Sequence, residues 1–491
     1  MTDHALPEGP SRRGLLRYAL TTGVIAGIVG LPAASAARGS GPPIPLVRPK
    51  VARLGDSITQ FAEYSQIARP MRMSRRARGA MTWVKTLFPA FNDDTWHFPE
   101  DARQRRYMRG SNNGVAGDHT IYRGPANPGT LRRWTDEVEP MRPDLVLLSV
   151  GTNDINSYRP AAALEDDLDT HIDTICRDGR ALVLTTIRPR SDEGTYGWGV
   201  PDQLTDGRYA MRASVDDWIR ARAATGLVIA DVNERLEDPA ARGGAGGDWL
   251  PGLLPPDGVH PGPRAAWAEA QTLLPILRWL IADHNVYGTD PLLPGNLLPN
   301  GAFAGRAGHI GRGLGGHCAT GWAIFRTSGD AGLTAYKTIE NGVAKQVLEI
   351  TPGRWDTTFV LRTDPARVSL RRVDDLAWLR FHLHQEVSAY AGWKAYSPRL
   401  FLSGHGSRGW TMKAEALETT TGELLPMAGW KGWPATHPVR RSPGDALAWC
   451  SVLITVAGSV PGLPVLKFSR AQLRRISDPR VPWHAGSTYR F

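Results

Sequence analysis

The sequence predicts a three-layer α/β/α domain with a parallel sheet, followed by an all-β sandwich of jelly-roll type. Three observations lead there. Short runs that are apolar on both faces, Val51 to Leu54, Asp144 to Val150, Ala181 to Ile187 and Leu227 to Val232, read as parallel strands covered by helices. The stretches between them, residues 161–177 and 203–223, have helical periodicity, so strand and helix alternate. After His284 the texture changes to short alternating segments, residues 346–350, 358–361, 378–384 and 399–402, broken by glycine, proline and serine.

A chain of 491 residues is too long for one ordinary core. The expected divisions are a leader over 1–36, an α/β domain over 45–286, a linker over 287–295 rich in glycine and proline, and a β-sandwich over 296–491. Hydrophobic content of 42% and charged content of 22% exclude a disordered or membrane-embedded chain. The formal charge of +10 is spread along the sequence rather than clustered, and no nucleic-acid module is recognisable. No nucleic-acid partner is expected.

The leader has three parts. Ser11-Arg12-Arg13-Gly14-Leu15-Leu16-Arg17 is a twin-arginine pattern, an apolar run follows from Ala19 to Leu31, and Ala34-Ser35-Ala36 offers a cleavage site. The run is short for a bilayer span, and no cysteine near the cleavage point offers a lipid anchor. This signal resembles those read by the bacterial twin-arginine export machinery, which implies a mature chain beginning near Ala37, periplasmic or secreted, without a stable membrane anchor. Cys176, Cys318 and Cys450 lie too far apart for a local zinc or redox motif. Cys318 and Cys450 share the C-terminal region and are a possible disulfide pair, while Cys176 reads as a small buried residue on a helix.

Four short blocks carry the chemistry: Gly55-Asp56-Ser57-Ile58-Thr59, Asn112 to Asp118, Gly151-Thr152-Asn153-Asp154 and Asp257-Gly258-Val259-His260. A serine hydroxyl needs a base before it becomes a nucleophile, and Ser57 follows a strand, where its hydroxyl is exposed at a turn. His260 lies three residues after Asp257, a spacing that lets the carboxylate hold the Nδ1 proton and aim Nε2 at Ser57. His119 and His171 compete for the base role, but neither has a carboxylate so placed. Gly117 and Asn153 offer an approaching backbone N–H and an uncharged amide donor for an oxyanion. Each has an ordinary alternative: Asp56 and Ser57 as a helix cap, Gly117 as a turn glycine, Asn153 as a cap. No group of residues recurs at metal-ligand spacing, and neither metal nor cofactor is expected.

In this order the blocks resemble those of the SGNH hydrolases, the GDSL-type esterases and lipases. The resemblance covers about half the chain, residues 50–284. It implies a Ser57, Asp257 and His260 triad, and an oxyanion hole from the Ser57 N–H, the Gly117 N–H and the Asn153 side chain. Two departures stand out. Ile58 replaces the leucine of the named motif, and Arg69, Arg72, Arg75, Arg76 and Arg78 form a basic stretch after the first block. That stretch is read either as a cleft lining that favours an anionic substrate or as a solvated loop.

The opening of the C-terminal region, Asn296-Leu297-Leu298-Pro299-Asn300-Gly301-Ala302-Phe303 with Gly321-Trp322, resembles β-jelly-roll carbohydrate-binding modules. More than half of the chain's 17 tryptophans fall in this region, Trp393, Trp410, Trp430 and Trp433 among them. Aromatic faces stack on sugar rings, although most tryptophans in a sandwich are core. The combined expectation is an exported serine esterase acting on short acyl, foremost acetyl, esters of a small-molecule or polysaccharide substrate. A lipase or phospholipase, an O-acetyltransferase and a non-catalytic carbohydrate-binding protein remain as alternatives.

Overall fold

The structure is a computed structural model describing residues 45–61, 73–91, 111–124, 127–191, 193–198, 207–241, 247–283, 295–364, 368–404, 409–419 and 423–476. The leader and most of the linker lie outside these residues. The first domain is built on a parallel five-stranded sheet of β1 (Val51–Gly55), β3 (Asn112–Gly114), β4 (Leu145–Ser149), β5 (Ala181–Thr185) and β6 (Val228–Ala230), in the order β3-β1-β4-β5-β6. β1, β3 and β4 are buried throughout and β5 in all but Ala181, as strands covered on both faces require, while the edge strand β6 is half-buried at Val228 and Ile229.

The two faces separate by residue parity. Val51, Leu145, Leu147 and Val183 pack with helices α2 (Ala80–Leu87) and α7 (Pro263–Leu280). Ala52, Leu54, Val146, Leu148, Leu182 and Leu184 pack with α5 (Ala161–Cys176) and α6 (Gly207–Ala221). The result is the expected three-layer α/β/α domain. From β1 the chain crosses to β3 on one side and then to β4 on the other. Order therefore reverses at β1, and the crevice beyond its carboxyl end is where such sheets bind ligands.

The second domain is a β-sandwich. Its strands are β7 (His309–Ile310), β8 (Trp322–Ser328), β9 (Gly332–Glu340), β10 (Val343–Thr351), β11 (Thr357–Thr363), β12 (Trp378–Val387), β13 (Trp393–Gly404), β14 (Thr411–Glu418), β15 (Trp430–Gly432), β16 (Asp445–Val456) and β17 (Val465–Ile476). One sheet runs β14-β13-β16-β11-β8-β7, and the other is built on β9-β10-β17-β12-β15. Leu361, Leu400, Ile454, Leu348, Phe381 and Phe468 fill the space between them.

One strand crosses the domain boundary. β2 (Met73–Arg76) belongs to the α/β segment by sequence, yet it pairs in parallel with β14 and extends the sandwich sheet. Arg76 lies 3.9 Å from Glu418, and Arg78 donates to Glu423 at 2.6 Å. These two arginines tie the domains together, which corrects their reading as a cleft lining. Arg69 and Arg72 lie outside the described residues. Trp83 on α2 meets Trp267 and Trp430 edge to face at 5.0 and 5.3 Å, and the Trp433 N–H donates to Thr86 O at 2.6 Å. Aromatic contacts of this kind add to the burial that drives them.

Trp393, Trp430 and Trp433 are accordingly buried packing residues rather than sugar platforms, and only Trp410 of the four is half-buried. The cysteines also differ from expectation. Cys318 and Cys450 are free thiols in the core, not a disulfide, and burial pushes Cys318 up to about 12. Cys176 is free and half-buried.

Candidate active site

All five expected site residues stand on loops or helices that leave the carboxyl ends of the sheet or lie against them. Ser57 opens α1 (Ser57–Phe61) directly after β1. Asp56 caps that helix, its Oδ1 accepting the Ile58 N–H at 2.9 Å, so capping and catalysis are compatible roles. Burial raises the Asp56 carboxyl above its ordinary range.

His260 reaches Ser57 across the chain. Its Nε2 lies 2.8 Å from Ser57 Oγ, and its Nδ1 lies 2.8 Å from Asp257 Oδ2. Asp257 Oδ1 accepts the backbone N–H groups of Val259 and His260 at 3.1 and 2.9 Å. Burial alone would raise the Asp257 carboxyl. The hydrogen bonds from the His260 ring and the two backbone groups outweigh it and hold the group at about 2. With Asp257 ionised, the imidazole proton belongs on Nδ1 and the lone pair on Nε2 faces the hydroxyl.

This depressed value has two consequences. Asp257 contributes stability that is complete above its unfolded value of 3.8 and is lost as pH falls through about 2. The carboxylate is likewise already ionised above about pH 4, so it sets no limb of the rate profile in that range. Asp257→Asn should lower kcat by about 10³ to 10⁴-fold by spoiling the tautomer, with a smaller loss of thermal stability at neutral pH from the missing charge, because an amide oxygen can still accept the Val259 and His260 N–H groups. An equal loss of folding and activity would make Asp257 a mere loop staple.

The loop bearing this pair is held from outside. Gly258 has φ +84, and a Cβ there would lie 2.1 Å from Glu193 O, so only glycine fits. The Ser191 N–H donates to Gly258 O and the Tyr196 N–H to Asp257 O, both at 3.0 Å. The Tyr196 ring stands edge-on to His260 at 5.8 Å and is itself exposed. Sequence reading missed Tyr196, because nothing in residues 191–198 marks a loop that folds over a distant histidine.

The second block resolves its two glycines. Gly114 ends β3, its N–H bonds to Asn112 Oδ1 at 3.0 Å, and a Cβ on it would lie 2.2 Å from Gln60 N. It is a packing glycine. Gly117 sits in a turn at φ +76, and among the described residues neither its N–H nor that of Ser57 donates a hydrogen bond. Asn153 lies within α4 (Thr152–Asn156) rather than capping it, and its Nδ2 donates one hydrogen to Asp118 O at 2.9 Å. The second amide hydrogen completes a set of three donors at one end of the sheet.

Two buried arginines brace these blocks, and neither was found from sequence. Arg133 is 1% exposed and donates to Asp118 Oδ2, Asn113 O and Gly55 O at 2.8, 2.5 and 2.8 Å. One guanidinium thus joins the first two blocks. Arg188 bonds both carboxylate oxygens of Glu269 on α7 and Ser149 Oγ at the end of β4. An arginine carries no local signal of burial, and its partners lie far away in sequence.

His119 and His171 have structural partners. His119 Nε2 meets Ser157 Oγ at 3.0 Å, while the wholly buried His171 lies between Thr130 Oγ1 and Asp167 O at 2.9 and 2.8 Å. Beside them, burial raises Asp154 to about 7, against hydrogen bonds from Thr120. Thr120 Oγ1 lies 2.8 Å from Asp154 and 2.6 Å from Asp167, although a hydroxyl has one proton to give. A protonated Asp154 resolves this by donating to Thr120, which donates to Asp167. Because the folded value exceeds the unfolded 3.8, this group costs stability as pH rises from about 4 to 7. Asp154→Asn should remove that slope, and thermal melts at pH 4, 5.5 and 7 show whether its advantage grows with pH.

A serine within hydrogen-bond reach of a carboxylate-oriented imidazole, with free donors beside it on a doubly wound sheet, is the arrangement that acyl transfer through a serine requires. Residues 54–268 match the model of the GDSL-like lipase/acylhydrolase family, and this segment is a GDSL-type carboxylic ester hydrolase domain. No curated protein sequence matches the chain. Among solved structures, LAE5, an α/β hydrolase from the metagenome of Lake Arreo, Spain, is similar at 20% identity, over 48% of this chain and 97% of that one, with TM-score 0.31. An acetyl xylan esterase, AlAXEase, is similar at 17% identity over 46% and 99%, with TM-score 0.29. TmCBM61, solved with β-1,4-galactotriose, is similar at 15% identity over 37% and 99%, with TM-score 0.22.

Proposed function

We propose that the chain is an exported esterase that removes short acyl groups, acetyl foremost, from carbohydrate. The observation that carries the mechanism is the unbroken series Asp257, His260, Ser57 with both links at 2.8 Å. Ser57 Oγ attacks the ester carbonyl while His260 Nε2 takes its proton. The developing oxyanion is met by the Ser57 and Gly117 N–H groups and the Asn153 amide. His260 then gives its proton to the leaving alkoxide, and the alcohol departs from an acyl-Ser57. Water, deprotonated by His260, attacks this ester; the proton returns to Ser57 and the carboxylic acid leaves.

The carbohydrate part of the proposal draws on the export-type leader and on the β-sandwich fused to the hydrolase. Its test is a panel of aryl esters of rising chain length, with acetylated xylan and phospholipid alongside. Preference for acetyl and release of acetate from the polymer support the reading. Preference for long acyl chains or phospholipid makes the protein a lipase, and transfer to an added sugar in place of water makes it an O-acetyltransferase.

A further inference from the structure

One exposed ring is held where a departing alcohol must lie. After Ser57 has attacked, His260 Nε2 gives its proton to the leaving oxygen, which must come within hydrogen-bond reach of the imidazole. The alcohol attached to that oxygen is bordered by whatever stands beside His260 toward solvent. Tyr196 stands there, its ring edge to face with the imidazole at 5.8 Å and an interplanar angle of 89°. The ring is 55% exposed, and among the described residues its hydroxyl makes no hydrogen bond.

An exposed tyrosine on a loop is ordinarily free to swing away, but here the backbone beneath it is fixed by its neighbours. Gly194 has φ +90, and a Cβ on it would lie 2.5 Å from Asp257 C. With Gly258, whose Cβ would strike Glu193 O, it lets the two loops touch backbone to backbone. The Tyr196 N–H donates to Asp257 O at 3.0 Å, and the Tyr196 carbonyl accepts from Arg190 Nε at 2.8 Å. Two residues on, the Trp198 carbonyl accepts from Arg208 Nη2 at 2.8 Å. The buried Trp198 ring has the Arg190 and Arg208 guanidiniums at 5.8 and 5.4 Å. The seat of the loop is made by backbone groups and arginines, not by the Tyr196 ring. What the ring adds is a flat apolar surface beside the general acid.

We propose that Tyr196 is a specificity-determining residue for the departing alcohol, packing against one that offers a flat apolar face, whether aryl or pyranose. An acyclic alcohol gains nothing from the contact. The alcohol has left before water attacks the acyl-Ser57, so the ring acts on acylation and leaves deacylation alone. The acyl substituent points away from the leaving oxygen about the tetrahedral carbon and does not meet the ring. This inference rests on the esterase reading above.

The test compares benzyl acetate and ethyl acetate, whose alcohols have similar acidity and differ in the ring, with a monoacetylated methyl xyloside as the sugar counterpart. Tyr196→Ala should lower kcat/KM about fivefold on at least one ring-bearing ester and less than about twofold on ethyl acetate, with the melting temperature kept. Tyr196→Leu, which keeps bulk without a flat ring, should behave as alanine does, and Tyr196→Phe should keep the parent's rates. The parent's preference between benzyl acetate and benzyl butyrate should survive in all three variants. Equal losses on ring-bearing and acyclic esters, with or without a shifted pH profile, would make Tyr196 a positioning residue for His260 and overturn the proposal. A changed acyl preference, or no change on any ester, would overturn it as well. Ser57→Ala keeps the two readings apart. Turnover that survives that change removes the esterase assignment, whereas Ser57-dependent turnover with uniform losses removes only the role of Tyr196.

Discussion

Replacing Ser57 with alanine is expected to lower kcat for any cleaved ester on the order of 10⁶-fold, while the melting temperature barely moves. Ser57 is half-buried, and its hydroxyl meets His260 Nε2 rather than a packing partner, so its loss removes the nucleophile and little else. Removing the nucleophile removes the acyl-enzyme route outright, and His260 without Ser57 has nothing to activate. The donors from Gly117 and Asn153 remain, and a weak rate above that of water should persist. A burst of alcohol release in the parent protein and none in the variant, read with the same aryl ester, checks the covalent step. An undiminished steady-state rate in Ser57→Ala would exclude this serine as nucleophile.

The second large effect falls on Arg133. Arg133→Met strips the partner from Asp118, a carboxylate with no exposed surface, and releases the carbonyls of Asn113 and Gly55. An uncompensated buried charge costs about 3 to 5 kcal/mol, enough to be plain in urea unfolding. Asp118 also anchors the Gly129 N–H through Oδ1, so a second change to Asp118→Asn keeps an acceptor there while removing the charge. The double variant should recover part of the lost stability. Activity should fall in both, because the Asp118 carbonyl holds Asn153 and the Gly55 carbonyl precedes the nucleophile. Full activity in a folded Arg133→Met protein would show that the bracing is not used by the site.

The strands legible in the sequence were those whose burial is written in their own residues. Val51 to Leu54 lies within an observed strand of the parallel sheet, and Asp144 to Val150, Ala181 to Ile187 and Leu227 to Val232 each contain one. β3 escaped notice because Asn112, Asn113 and Gly114 are polar or small, and they are buried only because Arg133 and Thr59 satisfy them. β2 escaped for a similar reason: Met73-Ser74-Arg75-Arg76 shows no apolar alternation, and its pairing depends on a strand more than three hundred residues away. The five site residues were legible because acyl transfer demands particular chemical types in short local patterns. Their supports, Arg133, Arg188 and Tyr196, act over long sequence distances and follow no pattern. Tryptophan count misled in the sandwich, since ring number says nothing of which face a ring takes.

The strand lent by the hydrolase segment to the sandwich has a consequence for how this protein exists at all. A chain shortened after Asp283 would leave β2 without its neighbour and strip Trp430 from Trp83. A sandwich expressed alone would in turn present β14 as a bare edge, open to pairing with other copies. Neither half is a spare part. A protease that opens one half removes from the other the strand pairing and the ring contact that cover it.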